Sequence, residues 1–125
     1  MDAKSDITEV EAFMREYNDL FSSGDAKALW SRVYRFEPGG KAMINSEADL
    51  KKLHDDIVAQ GYSHSIVHMM KVTPTGPDLM RVKLHFERKK TDGSTFAPGK
   101  QASEYNVQRF PDGWRITSAW MTTLD

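Results

Sequence analysis

Apolar side chains recur at spacings of three and four in the first half of this chain and at a spacing of two in the second. Ile7, Val10, Phe13, Met14, Tyr17, Leu20 and Phe21 fall on one stripe of a helix, because 3.6 residues per turn bring those positions together. Asp6 is expected to cap this helix with Glu9 answering, and Gly24 to end it in a left-handed conformation. Asp25 then caps a short second helix running through Trp30. Ser46 with Asp49 forms a capping box for a third helix, whose Leu50, Leu53, Ile57 and Val58 face inward until Gly61. Between the last two helices, Val33 to Asn45 reads as a short hairpin turned by Glu37-Pro38-Gly39-Gly40.

Beyond Gly61, alternation puts Ile66, His68, Met70 and Val72 on one side of a strand and Val67, Met69 and Lys71 on the other. In the next strand Met80, Val82, Leu84 and Phe86 alternate with Arg81, Lys83, His85 and Glu87. Matching the apolar faces predicts His68 on the buried side near Leu84. Asp92-Gly93 marks a further turn. In the last hairpin, Pro111-Asp112-Gly113 reads as a three-residue loop, which sets Phe110 opposite Trp114. Counting back pairs Gln108 with Ile116, Asn106 with Ser118 and Glu104 with Trp120, all on one face. Amides beside an indole predict a pocket there. Three helices followed by an antiparallel meander predict an α+β fold, with the helices packed on the concave face of a strongly curved sheet.

Composition narrows the partners. A chain of 125 residues fits one domain spanning 1–125, with residues 1–6 as a flexible tail, and buries enough surface to need no disulfide or metal. Seventeen basic and 18 acidic residues leave a formal charge of -1, too balanced to steer the chain to nucleic acid. Cysteine is absent and no apolar run approaches the ~20 residues of a membrane span, so no membrane partner and a cytoplasmic location are expected. His64 and His68 lie about 13 Å apart if both are in a strand, and no cysteine or carboxylate cluster completes a site; no metal and no cofactor are expected.

Tyr17 through Leu29, with Ser23-Gly24-Asp25 after the first helix, and Arg109-Phe110-Pro111-Asp112-Gly113-Trp114-Arg115-Ile116 resemble the SnoaL-like branch of the nuclear-transport-factor-two-like superfamily. The resemblance spans nearly the whole chain and implies a conical α+β fold and a homodimer. It is closest in pattern to small bacterial members without an assigned reaction. Comparison with the ketosteroid isomerase branch implies a catalytic role for Tyr17, which matches the tyrosine of helix one. Asn106 matches the hydrogen-bonding acid of the strand, and Glu37, before Pro38, is the nearest match to the base.

Each candidate also has a plain reading. Tyr17 lies in an apolar stripe where tyrosines commonly pack, Asn106 and Gln108 can be satisfied by Ser118 or backbone, and Glu37 suits a solvated turn. His68 titrates near neutrality and could shuttle a proton, yet it lacks an orienting partner in the sequence. Trp30, Phe86 and Trp120 are expected to line the pocket, with Gln108 and Ser118. The residues therefore point to a protein that binds a small apolar or carbonyl-bearing molecule. The alternative is a cofactor-independent isomerase, cyclase or dehydratase acting by proton transfer next to a carbonyl. On either reading, Val67, Met69, Tyr105, Val107, Ala119 and Met121 on the opposite sheet face are expected to build the dimer.

Overall fold

The computed structural model describes residues 3–36, 46–97 and 99–124. Helix α1 (Ala3–Ser23) carries the apolar stripe, and its Val10 and Met14 are fully buried. It begins before Asp6, so residues 3–6 form its first turn rather than a tail, and Asp6 is not its cap. That carboxylate instead pairs with Arg109 at 2.6 Å. Gly24 ends the helix at φ +73°, a conformation that costs an L side chain about 1–2 kcal/mol. Asp25 then accepts from the Ala28 amide and caps α2 (Ala26–Ala28), which continues as a π-helical turn over Leu29–Val33. Ser46 caps α3 (Glu47–Ala59) by accepting from the Asp49 amide at 3.1 Å. The hairpin expected around Glu37–Gly40 lies outside the described residues.

Four antiparallel strands follow in spatial order: β1 (Tyr62–Gly76), β2 (Leu79–Lys90), β3 (Gln101–Phe110) and β4 (Gly113–Thr122). Met80, Val82, Leu84 and Phe86 turn one face of β2 toward the helices, as the alternation predicts, and pack with Val10, Met14, Leu29 and Leu50. The fold is thus α+β, with the helices on one side of a curved, open sheet. Tyr34 makes a parallel bridge to Ile116, and the Arg35 amide donates to the Ile116 carbonyl at 2.8 Å, so the chain leaving the π-helical turn covers part of the β4 edge.

Four register shifts interrupt the ladders among the described residues, and two of them change which of the expected residues face the core. In β1 the pairing steps from Val67↔Phe86 to Met69↔His85, which leaves His68 as the extra residue. Val67, Met70 and Val72 consequently pack on the core while Ile66 and His68 are exposed, the reverse of the expectation before the bulge. In β4 the pairing steps from Val107↔Ile116 to Asn106↔Ser118, leaving Thr117 unpaired.

The loop between β3 and β4 also holds two residues rather than three. Phe110 pairs with Gly113, Arg109 with Trp114 and Gln108 with Arg115. Gly113, at φ +125°, belongs to the strand. The expected pairs Asn106↔Ser118 and Glu104↔Trp120 hold, because the bulge restores the offset, but Phe110↔Trp114 and Gln108↔Ile116 do not. Energetics explain the choice of face. Tyr105, Val107, Trp114 and Ile116 are buried together, and full burial contributes about 1.5–3 kcal/mol for each large apolar side chain. Turning β3 over would expose two of them and bury the Asn106 and Gln108 amides, each costing about 1–3 kcal/mol if unpaired.

Candidate functional site

Ser103 and Tyr105 of β3 point to the helical side of the sheet, where α1 places Tyr17 and the segment after the π-helical turn places Tyr34. The ring of Tyr17 meets that of Tyr105 edge-on at 5.6 Å and that of Tyr34 at 5.9 Å. Their hydroxyls form a hydrogen-bonded chain in which Tyr17 lies between Tyr105 and Tyr34. Ser103 Oγ extends it by donating to the Tyr105 hydroxyl at 2.7 Å. Desolvation pushes all three phenols above the ordinary tyrosine value, and proximity of the phenols to one another raises them further. All three are therefore neutral hydrogen-bonding groups at physiological pH.

These residues line a partly open cavity of about 390 Å³. Phe21, Phe36, Leu84 and Phe86 form apolar walls, Leu53 of α3 contributes from above, and Ala119 to Met121 border it from β4. Asn18 and Ser65 are tied together, with Asn18 Nδ2 donating to the Ser65 carbonyl at 3.2 Å. Arg88 is the one charged residue among those described along the cavity. Its guanidinium carbon sits 5.8 Å from the ring centres of both Phe21 and Phe86. Its buried Nε has no hydrogen-bond partner, and no ion pair to Arg88 is formed among the described residues. Ligand cavities commonly measure about 300–1,000 Å³ and combine apolar walls with a few convergent polar groups.

Of the expected residues among those described, Tyr17 and Phe86 line this cavity; Trp120 borders it from β4 while its indole lies 5.2 Å from the Arg81 guanidinium on the far face, and the others do not reach it. Asn106 lies on the far face of the sheet, donating to Ser118 Oγ at 2.8 Å and accepting from Arg81 Nε at 3.0 Å. Ser118 and Gln108 share that face with it, so the hydrogen-bonding roles expected of all three beside Tyr17 are corrected by the register. Trp30 packs on the core from the π-helical turn without reaching the cavity. His68, turned outward at its bulge, bonds Glu87 Oε1 through Nε2 at 2.7 Å. A hydrogen bond from Thr95, then one from His68, holds the Glu87 carboxyl below its ordinary value. Glu37 lies outside the described residues. Val67, Tyr105 and Val107, expected on the outer face, belong to the inner one; Ala119 and Met121 border the cavity.

Sequence reasoning missed Ser103, Tyr34, Tyr105 and Arg88. The signal available was the pair Tyr105 and Val107, more apolar than Asn106 and Gln108 and so better suited to the core. Among the described residues no group of three or more His, Asp or Glu is placed to hold a metal ion, and no helix is long and apolar enough to cross a membrane.

Helices laid over a curved antiparallel sheet, with a cavity between the layers, define the class of cystatin-like α+β proteins. Residues 8–123 match the family model described as NTF2-like protein (DUF6841), and the chain belongs to that family. Among solved structures it is similar to an NTF2-like protein with a cystatin-like fold from Novosphingobium aromaticivorans. That match has 24% identity and a TM-score of 0.71, and covers 98% of this chain and 84% of that one. A candidate dehydratase of the NTF2-like family from Streptomyces avermitilis matches at 17% identity and TM-score 0.69, covering 98% and 99%. A protein from Catenulispora acidiphila in complex with S-DNPA matches at 14% identity and TM-score 0.66, covering 91% and 90%. At these identities the likeness establishes the fold alone. No curated protein sequence matches the chain.

Proposed function

We propose that this protein binds a small, largely apolar molecule in the cavity between α1 and the sheet. The observation that carries the reading is the convergence of the phenol chain and a guanidinium whose buried Nε has no partner among the described residues on a 390 Å³ space with aromatic walls. A cavity kept only for packing would leave no reason to desolvate these groups, since buried polar groups without partners cost stability. The similar fold from Catenulispora acidiphila was obtained in complex with S-DNPA, which supports a binding use of the fold here. Within the superfamily we place the chain beside the SnoaL-like branch, on the Ser23-Gly24-Asp25 and Arg109 to Ile116 segments. The test is a thermal-shift screen of aromatic and carbonyl compounds followed by calorimetry. Binding that is lost when Leu84→Trp fills the cavity supports the reading, and binding unchanged by that substitution overturns it.

A second reading, cofactor-independent proton transfer next to a carbonyl, draws on the phenol chain, whose hydroxyls suit a developing oxyanion. No Asp, Glu or His lines the cavity among the described residues, so binding is the better-supported function. Glu37 directly follows Phe36, a cavity residue, and is the base to test: Glu37→Gln should abolish any turnover found while leaving binding intact. As partner we retain a second copy of the chain on the outer sheet face, here built on Arg81, Glu104 and Asn106. A single monomeric species in sedimentation velocity at high concentration removes it.

A further inference from the structure

We infer that the ligand of this cavity is an anion, with its carboxylate or enolate oxygen held by Arg88 and its planar apolar body between Phe21 and Phe86. The inference rests on the cavity reading and names the chemical class it takes. Its basis is a charge without a counterpart among the described residues. Arg88 lies among Phe21, Leu84 and Phe86, its Nε is buried without a partner, and neither Asp nor Glu lines the space among the described residues. The phenols it acts on, Tyr17 and Tyr105, stay neutral because burial opposes their ionisation, and its cross-strand neighbour Ser65 carries no charge. A guanidinium taken from water needs a compensating charge, and Arg presents a planar fork that matches a carboxylate in two parallel hydrogen bonds.

The surroundings fix the shape as well as the charge. The guanidinium is equidistant, at 5.8 Å, from the Phe21 and Phe86 rings, which belong to different layers of the fold. A flat ring system can enter between the helical and sheet walls with its acidic end toward Arg88. The phenol chain, with two of its three O–H protons used internally, offers one further donor to that oxygen. Other cations are committed elsewhere: Arg109 pairs with Asp6 and Asp78, Arg115 with Asp112, and Lys89 with Glu87.

The experiment compares 2-naphthoate with 2-naphthamide, equal in shape and different in charge, by calorimetry on the whole chain at neutral pH. Naphthoate should bind about ten- to a hundredfold more tightly, the range of a charge-assisted hydrogen-bonded pair. Arg88→Met, which keeps length without charge, should erase that preference and leave naphthamide within about threefold. Arg88→Lys should retain part of it. Equal binding of the two compounds by the unaltered protein, or a preference that survives Arg88→Met, overturns the anion assignment and leaves the cavity reading standing. Failure of both compounds, and of the neutral aromatic panel, overturns the two together. The comparison in the unaltered protein decides the matter even where a variant does not fold.

Discussion

The indole Nε1 of Trp114 donates to a Glu9 carboxylate oxygen at 3.0 Å, joining the first strand residues after the last turn to the first turns of α1. Arg109 covers the same indole at 4.5 Å and pairs with Asp6, one turn earlier on α1, and with Asp78 in the β1–β2 turn. This clamp sets how α1 crosses the sheet, and therefore where Tyr17 stands above Tyr105. Trp114→Phe keeps the ring under Arg109 and removes the donor. The expected loss is about 1–2 kcal/mol in urea unfolding, with Glu9→Gln costing less because its amide oxygen still accepts.

At the other end of α1, Gly24 lies against the His54 ring, and a Cβ there would collide with the imidazole. Gly24→Ala adds left-handed strain to that collision and should cost about 2 kcal/mol or more. His54→Ala in the same background removes the collision but not the strain. The double variant should recover part of the loss, giving a coupling energy measurable by a double-mutant cycle.

The buried phenols make stability depend on alkaline pH. Each of Tyr17, Tyr34 and Tyr105 keeps its proton in the folded state above the ordinary value of 10.0, where the unfolded chain releases it. The unfolded state then binds fewer protons than the native state, so stability is complete below about pH 10 and falls as pH rises further. The slope is about 1.4 kcal/mol per pH unit for each phenol that stays protonated. Tyr34→Phe should make the decline shallower by one such increment, read from urea midpoints between pH 9 and about 11.

Helices α1 and α3 and strand β2 were legible because nothing interrupts their periods, whereas the π-helical turn at Leu29–Val33 cuts α2 short of the expected Trp30. Gly24, Asp25, Ser46 and Gly61 stand where backbone chemistry requires them, and Met80 to Phe86 alternate without a break. The face of β3 was not legible by counting from the turn. A loop read one residue too long and a bulge at Thr117 cancel beyond Ser118, so two of the four expected pairs are right although Asn106 faces away from the helices. His68 failed for the same kind of reason. A bulge adds a residue to one strand and leaves no mark in composition, while it turns every later side chain over. Arg88 escaped notice because it heads the run Arg88-Lys89-Lys90, which resembles a solvated strand end; only the fold brings Phe21 beside it.

The corrected register predicts a separation between the two faces. Asn106 is satisfied by Arg81 and Ser118 on the side away from the cavity, so Asn106→Ala removes two hydrogen bonds there without touching the phenol chain. It should lower stability by about 1–2 kcal/mol, yet leave affinity for any cavity ligand within about twofold. Tyr105→Phe, one residue away and facing inward, deprives Ser103 and Tyr17 of a shared partner. That variant should weaken ligand binding by about fivefold or more. Calorimetry on both variants with one cavity ligand decides it, and a larger affinity loss for Asn106→Ala than for Tyr105→Phe would show that the sheet presents its other face to the ligand.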